Sequence, residues 1–214
     1  MMTRAAVPLL IVLGVAIGLS THTVVNCGDE DEPDICSAVI GFSPFRGSLI
    51  AFAYEGRGRI ALRHGDNGRA IADFNEAIHL NPNRASLYRD RAQAYRQNGE
   101  LSLAIADFDE AIALDPRPAP PYHERGLALA AKGDLDRAIL SYSTAVRLDP
   151  SDPQARLDRG LAFLARGQAN DARADFEAAV ALPPGKDGRT RAAARAKLAE
   201  LSSAGPARVS APTR

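Results

Sequence analysis

Seven residue columns recur along this chain at an interval of 34 residues. Pro82, Pro116, Pro150 and Pro184 form one, and Gly65, Gly99, Gly133 and Gly167 another. Alanine fills two more: Ala70, Ala104, Ala138 and Ala172, then Ala77, Ala111, Ala145 and Ala179. Phe74, Phe108, Tyr142 and Phe176 are an aromatic column, Leu80, Leu114, Leu148 and Leu182 a leucine column, and Arg57, Arg91, Arg125 and Arg159 a cationic one. Columns that hold over four cycles without a gap define a tandem array, in which each unit buries its apolar face only against its neighbours.

Each unit reads as two helices. In the second unit, Leu87, Tyr88, Ala92 and Tyr95 lie at helical spacing between Ala85 and Asn98. Gly99 stops that helix, because glycine enters the left-handed region at low cost. A second helix is predicted from about Ser102 to Leu114, with Ala104, Ile105, Phe108, Ala111 and Ile112 on its inner face. Asp115-Pro116 ends it, since proline cannot continue the hydrogen bonds and pushes its predecessor out of the helical region. Small residues on the first helix (Gly58, Ala92, Gly126, Gly160) and on the second (the Ala70 column) let the two axes approach, with the aromatic column filling the space beside the crossing. The Ala77 column is placed to accept the first helix of the next unit. Folding each hairpin about its turn glycine brings Arg57 near Asp73, Arg91 near Asp107 and Arg159 near Asp175, which predicts arginine–carboxylate bridges between paired helices. Ser141 replaces the acid opposite Arg125.

Length 34, two helices, small residues at fixed places, an aromatic and a closing proline resemble the tetratricopeptide repeat, over residues 51–184. The usual aromatic at the fourth position stands as Tyr54, Tyr88 and Tyr122 and is replaced by Arg156 in the last unit. The resemblance implies an all-α, right-handed α-solenoid of four helix–turn–helix repeats (51–84, 85–118, 119–152 and 153–186). A C-terminal capping helix is expected over 187–201 and a disordered tail over 202–214. Arg125-Gly126-Leu127-Ala128 is similar to a subgroup of exported bacterial tetratricopeptide proteins with a cysteine-bearing segment ahead of the repeats.

The N-terminus reads as a secretory signal over 1–23: Arg4, an apolar run over 5–19, then Ser20-Thr21-His22-Thr23. That run is short for a membrane span, which needs about 20 residues, so a periplasmic or secreted protein is expected, with a membrane anchor at 5–19 as the alternative. Cys27 and Cys36, the only cysteines, lie in a cap segment over 24–50, and an oxidising compartment favours their disulfide over two reduced thiols.

The sequence carries no Gly-x-Ser-x-Gly, phosphate-binding lysine loop or His-Glu-x-x-His motif, and no catalytic, metal or cofactor residue is expected. Lysine plus arginine and aspartate plus glutamate number 26 each, which disfavours nucleic acid bound by bulk charge.

In the family the first helices line a concave groove. The corresponding places here are Arg59, Arg63, Arg89, Gln93 and Arg96 in the first two repeats, with Glu55 among them. In the last two they are His123, Leu127, Leu157, Leu161 and Leu164. A groove basic at one end and apolar at the other suits a protein or peptide with acidic and apolar portions. The alternative is that the arginines are merely solvated and the capping helix covers the leucines. The family's carboxylate clamp of Lys and Asn is not reproduced: its places hold Gly56, Asp90 and Glu124, and Arg59, Gln93 and Leu127. The expected function is a non-catalytic interaction scaffold outside the cytoplasm. An accessory subunit or unrecognised enzyme of the cell envelope and a self-associating homo-oligomer are the alternatives.

Overall fold

The computed structural model describes residue 40 and residues 47–182 and 188–203. The signal segment, Cys27, Cys36, Pro184 and the tail from residue 204 onward lie outside the described residues. The described residues form nine helices and no strand: α1 Ser48–Arg63, α2 Asn67–Leu80, α3 Ala85–Gln97, α4 Leu101–Leu114, α5 Ala119–Ala131, α6 Leu135–Leu148, α7 Pro153–Ala165, α8 Ala169–Ala181 and α9 Arg189–Ser203. The fold is an all-α helical repeat. Ser202 and Ser203, expected in the tail, belong to α9. The chain divides into two compact units between Pro116 and Arg117. The first contains the hairpins α1–α2 and α3–α4, and the second contains α5–α6, α7–α8 and the single helix α9.

Every hairpin turns by the same local chemistry. Gly65, Gly99, Gly133 and Gly167 have φ of 76°, 82°, 87° and 77°, the left-handed region that a side chain makes costly. The residue after each glycine donates its N–H back into the last turn: Asp66 to Ala61, Glu100 to Tyr95, Asp134 to Leu129 and Gln168 to Phe163, at 2.9–3.0 Å. The glycine itself donates three residues back, to Leu62, Arg96, Ala130 and Leu164 respectively. This paired pattern satisfies carbonyls that the helix end leaves open. Asp66 and Asp134 then cap the next helix, accepting from the N–H of Arg69 and of Arg137.

The close approach of the two helices is set by a ring over a missing side chain. A Cβ on Gly58 would lie 2.9 Å from the Phe74 ring, and on Gly126 or Gly160 it would lie 2.5 Å from Tyr142 or Phe176. Those rings are fully buried, as is Phe108 in the hairpin that carries Ala92. The four arginines of the cationic column brace the same crossings. Arg57, Arg91 and Arg159 each hold their aspartate with two parallel bonds of 2.6–2.8 Å. Arg125 donates to Ser141 Oγ at 3.1 Å. Arg91 and Arg159 also reach back one hairpin, to Asn75 Oδ1 at 2.7 Å and Ser143 Oγ at 3.1 Å. The guanidinium therefore joins three helices. The paired aspartate holds the pKa of Arg91 and of Arg159 above the usual arginine value, against the opposing effect of burial.

Hairpins stack through their small residues within each unit. In the first unit Ala94 of α3 joins Ala61, Ala70 and Phe74. In the second, Ala155 of α7 joins Ala145 and Val146 of α6. Ala194 of α9 joins Leu157, Ala172, Phe176 and Ala179, the place a further first helix would take. Arg191 on α9 donates to the Val180 carbonyl at 2.8 Å, satisfying the end of α8.

Candidate partner-binding faces

The first unit presents α1 and α3 side by side. Arg59 and Arg89 are brought together there through two acids, and Arg84 joins them. Glu55 and Asp90 are 2% and 3% exposed, unusual for carboxylates. Arg59 spans both, with Nη2 2.8 Å from Glu55 and Nε 2.6 Å from Asp90 Oδ2. Arg89 closes on the other oxygen of Asp90 at 2.8 Å. Arg84, at the start of α3, meets Glu55 at 3.0 Å and stacks its guanidinium 4.4 Å from the centre of the exposed Phe52 ring. Burial raises the Glu55 pKa above its usual value, and the opposing pull of Arg59 and Arg84 does not cancel that cost. Arg63 is exposed at the end of α1, Gln93 is half-buried on α3, and Arg96 is half-buried with its Nε lacking a hydrogen-bond partner.

The face of the second unit is differently built. His123 Nε2 lies 2.8 Å from Asp158 Oδ2. A carboxylate only accepts, so Nε2 carries the proton. Gln154 Nε2 donates to the same carboxylate at 3.1–3.2 Å, and Thr190 Oγ1 donates to Gln154 Oε1 at 2.7 Å. This chain of polar contacts ties α5, α7 and α9 together. The leucines divide. Leu157 is 6% exposed and packs in the cluster around Ala194, so α9 removes it from the surface. Leu164 packs against the same cluster. Leu127 is half-buried, and Leu161 is 37% exposed.

Arg84, Gln154, Asp158 and Thr190 escaped the sequence reading. None stands in a recurring column, and the only available signal was a polar residue on a first-helix face or just before it. Among the described residues, no three of His, Cys, Asp and Glu converge as a metal site, and no helix is long and apolar enough to cross a membrane.

Comparison with known proteins agrees with the hairpin architecture. A tetratricopeptide repeat model matches residues 58–121, and a second model of the same repeat matches residues 126–167. No curated protein matches the chain by sequence. Among solved structures, one of MamA is similar with a TM-score of 0.65 at 24% identity, over 69% of this chain and 84% of that one. YrrB, a tetratricopeptide protein with an unusual peptide-binding site, gives 0.64 at 17% identity over 87% and 88%. The first tetratricopeptide domain of Spaghetti (RPAP3), bound to the HSP90 peptide SRMEEVD, gives 0.55 at 23% identity over 58% and 99%. Such identities speak to the fold alone; the two matched models, with the recurring hairpins, give the family: the chain belongs to the tetratricopeptide repeat family.

Proposed function

We propose that the chain is a non-catalytic protein–protein interaction scaffold that takes a peptide or partner protein on its first-helix faces. The observation that carries this reading is the α1–α3 face. Arg59, Arg84 and Arg89 converge there on two buried acids, where hairpin packing asks for only the cationic column. The likeness to YrrB and to the Spaghetti domain, both described with peptides, supports a peptide as the partner. The second unit offers a smaller apolar surface at Leu127 and Leu161, since Leu157 is occupied by α9.

The test is affinity capture with the wild-type chain beside a variant carrying Arg59→Glu, Arg63→Glu, Arg89→Glu and Arg96→Glu. Melting curves would establish that both are folded. A partner held by the first and lost from the second supports the reading. Identical captured sets, or none, refute it.

Action outside the cytoplasm is part of the proposal and rests on the composition of residues 1–23. Cell fractionation with N-terminal sequencing tests it: a product beginning near residue 24 outside the cytoplasm supports export, and an intact cytoplasmic chain refutes it. Alkylation of the same material before and after reduction tests the Cys27–Cys36 bond.

A further inference from the structure

The charge cluster of the first unit is not explained by repeat packing. Along the repeat, the places equivalent to Glu55 hold Arg89, His123 and Leu157, and those equivalent to Asp90 hold Gly56, Glu124 and Asp158. The combination is confined to this face. Its two carboxylates are too deeply buried to meet a ligand. The guanidiniums above them are not: the Arg59 and Arg84 side chains keep 40% and 30% exposure.

Arginine has five N–H donors in a planar fork. Arg59 directs Nε to Asp90 and Nη2 to Glu55, and Arg84 directs Nε to Ser86 and Nη2 to Glu55. In both, the hydrogen bonds and ion pairs engage Nε and Nη2 and not Nη1. Arg96, two turns beyond Arg89 on α3, adds a buried Nε with no hydrogen-bond partner. Arg59, Arg84 and Arg89 close on Glu55 and Asp90, three cations on two acids.

We propose that this cluster is a binding site for clustered carboxylates of an acidic peptide segment, in which Glu55 and Asp90 are positioning residues. The buried acids fix the arginine forks before the ligand arrives, so the side-chain freedom that binding would otherwise remove is already lost in the free protein. Fixed forks match carboxylate geometry in pairs, which a freely rotating cation does not. The inference rests on the reading of this face as partner-binding and goes beyond it, because it assigns a role to two acids that weaken the site's net charge.

That opposition supplies the test. Anisotropy of a fluorescein-labelled, glycine-spaced tetraglutamate peptide would be followed with the full chain, and a tetraglutamine peptide would serve as control. Wild type should bind the glutamate probe alone. Arg59→Gln and Arg96→Gln should each weaken it roughly tenfold through loss of charge-assisted hydrogen bonds, and Arg137→Gln on α6 should leave it unchanged. Asp90→Asn and Glu55→Gln raise the positive charge of the face. Simple attraction predicts tighter binding for both, and preset forks predict weaker binding, by roughly threefold or more.

Arg59→Lys keeps the charge at a partly exposed position without the fork. It should bind as weakly as Arg59→Gln and provides the same discrimination if either acid variant fails to fold. Asp90→Asn, Glu55→Gln and Arg59→Lys binding as tightly as wild type would overturn the proposal while leaving acidic recognition on this face intact. Indifference to Arg59→Gln and Arg96→Gln would remove both the site and acidic recognition there.

Discussion

Asp107→Ala isolates the arginine brace that recurs through the hairpins. In the wild type, Arg91 gives Nε and Nη2 to the two oxygens of Asp107 at 2.7 Å, and Nη1 to Asn75. Its side chain is 18% exposed, so removing the aspartate strands a largely buried cation. Breaking a fully buried pair from one side costs about 3–5 kcal/mol. Three features reduce that here: the partial exposure, the surviving Asn75 contact, and the Tyr88 and Tyr95 rings at 5.7 and 5.8 Å, which still face the guanidinium. Alanine also gains about 0.5 kcal/mol of helix propensity over aspartate. The expected net loss is about 2 kcal/mol.

The molecule contains its own control, because Ser141 Oγ stands where the other hairpins carry the aspartate and accepts from Arg125 at 3.1 Å. Ser141→Ala should cost about 1 kcal/mol for the lost bond, less about 0.5 kcal/mol of propensity. Urea unfolding followed by circular dichroism reads the difference. With a slope of about 2 kcal/mol per molar, Asp107→Ala should lower the midpoint by about 1 M and Ser141→Ala by about a quarter of that. Arg91→Glu should be at least as damaging as Asp107→Ala, and adding Asp107→Arg should recover part of the loss. Equal costs at Asp107 and Ser141, or a double variant no better than Arg91→Glu alone, would refute the claim that the carboxylate pairing carries the energy.

Gly126→Ala would press a Cβ to 2.5 Å from the buried Tyr142 ring; overpacking of about 1–3 kcal/mol should exceed the roughly 1 kcal/mol gained in helix propensity. Gly58→Ala, at 2.9 Å from Phe74, should cost less, and urea midpoints would order the two. Gly133→Ala meets no atom within 4 Å but holds φ of 87°, so its loss of about 1 kcal/mol should come from the backbone alone. Leu157→Ala should destabilise the second unit by about 2–4 kcal/mol, visible as an early melt, and any loss of binding would follow from unfolding. The raised pKa of Glu55 means that the folded chain binds this proton more tightly than the unfolded one. Its contribution to stability is therefore present below the ordinary value of 4.5 and lost as pH rises through the folded value. The stability of wild type relative to Glu55→Gln should accordingly fall as pH rises from below 4.5 towards neutrality, and urea titrations at the two ends would check it.

How far the sequence could be read depended on whether an interaction follows the repeat. The turn glycines, the ring against Gly58, Gly126 and Gly160, and the Arg–Asp braces recur at 34 residues because each hairpin needs them, so aligning the chain with itself exposes them. The 16-residue spacing of Arg91 and Asp107 is likewise fixed by folding one hairpin about Gly99. The candidate faces obey no such rule. Arg59 meets Asp90 across 31 residues and Arg84 meets Glu55 across 29, offsets set by side-chain reach between neighbouring first helices. A periodic search passes over both, and a tally of arginines on the face then overstates its charge. Leu157 and Leu161 make the same point for apolar surface. They are one helical turn apart on α7, yet α9 covers the first and leaves the second exposed. The alanine-rich pattern of 189–201 announced a helix, but no column announced which leucine it would cover. Repetition encodes what every hairpin must do, whereas a binding face is built from what only one hairpin does; Glu55 and Asp90 were therefore visible in the sequence as acids but not as the pair that holds Arg59.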